Sequence, residues 1–403
     1  MSEQSIATPE QQAIIHEILQ KLSKTVSENI NQVSDNGLLS GLAGQLLFLF
    51  NAHKINTAFV NEDMFANKLE QLQSQLDQQS LELSSGLAGQ AWLLEYFNQA
   101  DMSDYDAELL DDVDHLFLQA LNHQPWSGEI EFVLGLAGYA PYIARRSKCT
   151  DQTALIKVLV DNYSSVATWL ENGQVCWSQP PGSVYRFNTS TPSKPEYNLG
   201  LAHGVPSVIA ALLPGLQVEE LKDSVTKLLL ASCDWLLAQQ NPDQDDLCCF
   251  GSVVGSDYRS RLGWCYGDLA IALLIARVAT ALDRPSLMER AQYIALKTTQ
   301  RDAVNGAIND AGLCHGFVGL VSMYQLLYQL IPHPDLKKTA QYWLDYTLEQ
   351  YHLHGLEAFY AFNGDTRAGY EEYGFLMGYA GVGLGLTAVL NDDLEWAECL
   401  LMK

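Results

Sequence analysis

The sequence predicts an all-α fold, an α/α toroid in which seven outer and seven inner helices alternate along the chain. Three observations predict it. A Gly-x-x-Gly step recurs along the chain, a helix-length apolar run follows each step, and an amphipathic segment precedes each one. The step is clear at Gly41–Gly44, Gly86–Gly89, Gly135–Gly138, Gly316–Gly319 and Gly378–Gly381, and degenerate at Gly204–Ser207 and Gly267–Ala270.

The first amphipathic segment starts at Thr8-Pro9-Glu10, with Thr8 as N-cap and Pro9 at the first helical position. Its apolar residues Ile14, Ile15, Ile18, Leu19 and Leu22 share one face. Similar segments occupy about 62–80, 103–122, 152–171, 218–240, 285–301 and 334–352. Each keeps one wet face and belongs outside. The runs after the steps, such as QLLFLFNAH, QAWLLEYF, IALLIARVATAL and LVSMYQLLYQLI, are apolar nearly all round. A helix without a polar face must be covered on every side. A linear array leaves one side wet, whereas a closed ring buries all seven. The glycines stand where the inner helices begin, so all seven inner N-termini point to one end, and small residues let them crowd there. The functional site is expected at that end.

We read residues 1–403 as one domain. Two repeats run long, and the excess falls at about 172–200 and 241–262. Both segments are rich in Pro, Ser, Asn and Gly and read as insertions at the functional end, with short β-like pieces such as SVYRF.

Composition excludes several classes. There are 23 Lys+Arg against 48 Asp+Glu, a formal charge of −25, and such a surface repels phosphate backbones and anionic lipid headgroups. No nucleic-acid partner and no direct membrane insertion are expected, because the longest apolar stretches are broken by Arg277, Pro206 and Pro214. The N-terminus has no basic-then-apolar export pattern. The eight cysteines therefore read as reduced thiols or metal ligands, not a disulfide framework.

Aligning the copies on their first glycine exposes the chemistry. One position before it stand Ser40, Ser85, Leu134, His203, Tyr266, His315 and Met377; two before stand Leu39, Ser84, Val133, Ala202, Cys265, Cys314 and Leu376. Two histidines share one slot and two cysteines the next. Ring closure brings Cys265, Cys314 and His315 together from adjacent copies, with His203 one copy further back. Two cysteines and a histidine suit zinc, and three protein ligands with one open position is a catalytic pattern. Singly, each residue is explained as core filling or a capped helix end; the shared register favours metal. Coordination deprotonates a bound thiol. Two thiolates already on the ion temper its Lewis acidity, which fits thiol alkylation better than hydrolysis. Addition of sulfur to an electron-poor alkene leaves an enolate that needs a proton, and His203 suits the donor role.

The stretches YNLGLAHG (197–204), RLGWCYGDLAIA (261–272) and GLCHGFVGL (312–320), in that order on a sevenfold repeat, resemble the lanthionine synthetase C (LanC) family, specifically its stand-alone class I lanthipeptide cyclases. The resemblance spans essentially the whole chain. It implies a toroid of two seven-helix rings and one bound zinc. It implies addition of peptide cysteine thiols to dehydroalanine or dehydrobutyrine, forming lanthionine and methyllanthionine rings. Carried over residue by residue, the zinc ligands are Cys265, Cys314 and His315, and the active-site histidine is His203. Arg261 is the arginine before the WCYG motif, a candidate for holding the enolate oxygen or a nearby carboxylate. Glu131 stands where bacterial cyclases usually have Asp, with Glu129 as a neighbouring substitute. Trp264 and Tyr266, flanking the cysteine, are candidate pocket walls for substrate. The segment 172–200 falls where such cyclases carry a small β-containing extension.

Plainer readings stand beside these. Arg261 pairs readily with a carboxylate on so acidic a chain, Glu131 serves as a helix-start cap, and aromatic residues beside a helix start commonly pack. Cys248 and Cys249 are adjacent, an arrangement in which two thiols rarely hold one ion. The expected partners are a dehydrated precursor peptide, an upstream dehydratase and a peptide transporter. The expected location is cytoplasmic, peripheral at the inner membrane face through the transporter complex. The alternatives are a LanC-like relative that adds glutathione to dehydrated peptides and a non-catalytic peptide binder. A prenyltransferase-like ring needs an Asp-Cys-His ligand set, and a glycosidase needs two placed carboxylates; the sequence offers neither.

Overall fold

A computed structural model describes residues 6–32, 35–76, 80–150, 152–179, 196–242, 247–255 and 259–403. Seven outer helices are present: α1 (Pro9–Asn29), α3 (Glu62–Ser74), α5 (Asp111–Leu121), α7 (Thr153–Val166), α9 (Lys222–Leu237), α11 (Pro285–Thr298) and α13 (Pro334–His354). Seven inner helices alternate with them: α2 (Leu42–Ile55), α4 (Leu87–Asn98), α6 (Ala140–Arg146), α8 (Val205–Leu212), α10 (Asp268–Ala281), α12 (Phe317–Leu330) and α14 (Tyr379–Asn391). The third inner helix is entered through a short 3-10 turn, Leu136–Tyr139, before Pro141.

Each inner helix touches the next, from α2 to α4, α6, α8, α10, α12 and α14, and α14 returns to α2. The ring is therefore closed, and α1 packs on α14 to seal the join. The α1 start forms as its sequence dictates, with a capping box between Thr8 and Gln11. Ile15, Ile18, Leu19 and Leu22 are buried, while Ile14 lies off that face.

Glycine permits the closure by close approach. A Cβ on Gly89 would sit 2.7 Å from the Leu38 Cβ of the preceding copy. One on Gly44 would sit 2.6 Å from the Phe375 Cβ of the last copy. Where the step is degenerate, Ser207 is small and returns its hydroxyl to the Gly204 carbonyl at 2.7 Å.

A second device ties the copies together just before the helices begin. Backbone N–H groups donate from Leu39 to Ser84, from Leu376 to Leu39, from Cys314 to Leu376, from Trp264 to Cys314, from Ala202 to Cys265 and from Phe132 to Ala202, at 2.8–3.3 Å. The turn residues before each step thus form an open hoop around the inner N-termini, unlinked only between the second and third copies among these bonds, and the shared slots of the sequence register lie at one level.

Several expectations shift. The outer segment at 103–122 is helical only from Asp111, because Asp101 and Asp106 spend their side chains on local turns with Ser103 and Glu108. The segment at 152–171 stops at Val166, where β1 (Thr168–Trp169) and β2 (Val175–Cys176) pair as a hairpin. A second hairpin, β3 (Ala361–Asn363) with β4 (Ala368–Tyr370), was not expected. The SVYRF piece lies outside the described residues. The flanks of the two long segments meet through an antiparallel bridge between Asn198 and Val253. No helix among the described residues is long and apolar enough to cross a membrane.

Candidate metal and active site

The hoop brings four consecutive copies side by side, and each contributes chemistry. Phe132 N–H reaches Ala202, which sets Glu131 beside His203. Ala202 N–H reaches the Cys265 carbonyl, and Cys265 lies against Cys314 in the same way. The ligand atoms of Cys265, Cys314 and His315 all lie within 4.8 Å of one another, and both cysteines are buried. The His315 Nδ1 is 3.8 Å from the Cys265 sulfur.

The two thiols form a coupled pair. A hydrogen bond from Cys314 holds Cys265 well below the usual thiol range, against the opposing effect of burial, and His315 and the Arg261 charge lower it further. The same bond, reinforced by burial, pushes Cys314 up. The two sulfurs thus lie in hydrogen-bond contact with each other in a buried place. All eight cysteines are free thiols.

His203 Nδ1 lies 2.6 Å from Glu131 Oε2. The Glu131 carboxylate also accepts the Val133 N–H at 3.1 Å and the Leu134 N–H at 2.6 Å, the capping role weighed for it. Its side chain is buried, so the His203 ring has a fixed partner. Glu129 keeps one carboxylate oxygen buried without a hydrogen bond among the described residues. Burial first, and then the Glu131 charge, pushes its carboxyl up.

Arg261 is half-buried, and its charge acts on both thiols. Among the described residues its guanidinium has no ion pair, unlike Arg145 and Arg146, which are both tied to carboxylates. Six positions before the first glycine, other copies carry Asp35, Asn198, Asp310 and Glu372, each accepting a glycine N–H two residues on at 2.7–3.0 Å. In the fifth copy Arg261 occupies that slot and cannot accept.

Tyr266 lies beside His203, their ring centroids 6.3 Å apart, and its hydroxyl accepts from Asn198 at 2.9 Å. Trp264 corrects an expectation. It is 1% exposed, packs edge-on against Phe132, and donates its indole N–H to the Leu400 carbonyl at 2.8 Å. It fills the slot held elsewhere by Leu38, Leu83, Phe132, Leu201, Leu313 and Phe375, all buried. It belongs to the core, not to a pocket wall.

Cys248 and Cys249 serve structure. The Asp268 carboxylate accepts both the Cys249 N–H at 2.8 Å and the Phe250 N–H at 2.9 Å, pinning this segment to the start of α10. The residue that sequence reasoning missed is Asp310, whose Oδ2 lies 3.6 Å from His315 Nε2. Its signal was the shared capping slot. A cavity of about 530 Å³ opens at the other end of the ring near Arg277 and Leu401 and includes none of these residues.

A closed α/α toroid with a Cys–Cys–His cluster and a histidine–carboxylate pair at its inner N-terminal end is the class that fold and site define. The chain belongs to the lanthionine synthetase C-like protein family, whose model matches residues 32–401. Among its relatives is the nisin biosynthesis protein NisC of Lactococcus lactis subsp. lactis, 22% identical over 365 residues, covering 83% of this chain and 82% of that protein. Among solved structures, nisin cyclase matches with a TM-score of 0.70 and 19% identity over 95% of this chain and 98% of the other. That likeness carries the toroid fold.

Proposed function

We propose that this protein is a zinc-dependent lanthipeptide cyclase. It adds cysteine thiolates of a dehydrated precursor peptide to dehydroalanine or dehydrobutyrine and forms lanthionine and methyllanthionine rings. The observation that carries the reading is the convergence of Cys265, Cys314 and His315 within 4.8 Å. Family membership supports it.

The donor set fits the ion. Two sulfurs and an imidazole nitrogen are ligands zinc prefers, and three of them leave a position for substrate. Zinc bound there supplies the charge that keeps an incoming cysteine sulfur deprotonated and nucleophilic near neutral pH. The rest is done by the chain. As the sulfur bonds to the alkene β-carbon, the π electrons move toward the adjoining carbonyl. Arg261, a cation with no carboxylate partner among the described residues, balances the charge that develops on that oxygen. His203 gives a proton to the α-carbon, which completes the thioether. Glu131 fixes the orientation of the ring. Tyr266 borders the same space.

The reading takes residues 1–403 as one catalytic domain bordered by the segments at about 172–200 and 241–262. Its substrate must come from a dehydratase. We assign the reaction to the cytoplasm, with a peptide transporter as the link to the inner membrane face.

Incubation with a dehydrated, cysteine-containing precursor peptide tests the proposal. Ring closure leaves mass unchanged, so loss of alkylatable thiol is the readout. Thiols that stay free with the metal fully loaded rule the cyclase out. Consumption of added glutathione in place of peptide thiols favours the glutathione-adding alternative.

A further inference from the structure

We propose that Asp310 is the residue that orients His315 as a ligand, fixing Nδ1 as the coordinating atom. This rests on the metal reading above and adds a residue and an atom to it. The two nitrogens of His315 face different neighbours. Nδ1 faces the thiols, 3.8 Å from Cys265 Sγ, and Nε2 faces the Asp310 carboxylate, 3.6 Å from Oδ2.

The two oxygens of Asp310 are also divided. Oδ1 accepts the Gly312 N–H at 3.0 Å, the capping bond of its slot. Oδ2 is buried and has no hydrogen bond among the described residues. A carboxylate oxygen out of water needs a donor, and the imidazole N–H is the group that faces it. A small turn of the His315 ring converts the 3.6 Å contact into a hydrogen bond. That bond holds the proton on Nε2 and turns the Nδ1 lone pair toward the sulfurs. Ligating histidines generally give their second nitrogen to such an acceptor, and losing it weakens metal binding roughly 10–100-fold.

The repeat supplies its own control. Asn198 occupies the same slot in the fourth copy and makes the same bond to Gly200 at 2.7 Å. Asparagine therefore satisfies the cap, so Asp310→Asn removes the charge facing His315 and keeps the turn. Asp35 fills the slot in the first copy and caps Gly37 at 2.8 Å, in a copy that contributes no residue to the cluster.

The experiment is a titration of metal-free protein with cobalt(II) against a competing chromophoric chelator. Wild type and Asp35→Asn are expected to bind with equal affinity and the same thiolate-to-cobalt bands. Asp310→Asn is expected to bind about 10–100-fold more weakly. Equal affinity and spectra for Asp310→Asn overturn the inference. No uptake by wild type instead removes the metal reading beneath it. If Asp310→Asn does not fold, histidine-¹⁵N NMR of zinc-loaded wild type decides. His315 is expected to show a metal-shifted Nδ1 and a protonated Nε2, and the reverse pattern overturns the assignment.

Discussion

The role proposed for His203 depends on Glu131, and Glu131 gains its place from the turn it caps. One carboxylate accepts two backbone N–H groups and an imidazole nitrogen, so its position is set by the fold before any substrate arrives. His203→Ala is accordingly expected to keep its metal and lose roughly 10²–10⁴-fold in ring closure, the scale of a lost proton donor. Glu131→Gln keeps the backbone caps and loses the charge, so it should fall between wild type and His203→Ala. Single-turnover thiol consumption measures both, and a His203→Ala variant closing rings at the wild-type rate removes His203 from the chemistry. At this scale the sequence was legible where register made residues stand out: two cysteines in one slot and two histidines in the next. It was not legible for Trp264, whose neighbours along the chain suggested a pocket. The slot three before the step holds a buried apolar residue in every copy, and reading along the copies instead of along the chain would have assigned it to the core. Asp310 was hidden because one carboxylate among 48 acidic residues carries no signal until its slot partners are aligned.

The elements depend on what fits between copies. Gly89 lies against the Leu38 side chain of the preceding copy, and a methyl group there also meets the Leu83 carbonyl. Gly89→Ala is expected to destabilise by about 1–3 kcal/mol, the range for overpacking, read as a lower urea midpoint at unchanged slope. The pH dependence of stability follows from Glu372, at the entry to α14. Its carboxylate accepts the Gly374 N–H at 2.9 Å, yet burial raises its pKa to about 7, with Asp35 adding to the rise. The folded chain therefore holds this proton more tightly than the unfolded chain. The stability it contributes is full below the ordinary glutamate range and is lost as pH rises through about 7. Glu372→Gln should melt higher than wild type at pH 8 and level with it near pH 4, as thermal denaturation at the two pH values will show. A variant less stable at pH 8 would contradict this. Helix existence was legible from periodicity, while helix ends were not. Asp101 and Asp106 divert the chain into turns, and the β3–β4 hairpin, with strands of three residues each, is too short to signal itself.

At the scale of the whole molecule, closure makes the site. Cys265 and Cys314 belong to different copies and share no local ligand motif. They meet because each inner helix packs on the next and the backbone hoop holds the helix starts at one level. Repetition supplies a rigid frame in which seven equivalent slots face one space. The proposed function then rests on substitutions in only a few: an arginine where other copies cap, two cysteines, two histidines and a glutamate. The most direct measurement is the metal content of the purified protein beside Cys314→Ala. About one zinc per chain, falling to near none in the variant with the fold intact, is the result this architecture predicts. Zinc retained at full occupancy by Cys314→Ala would mean that the cluster is not the metal site.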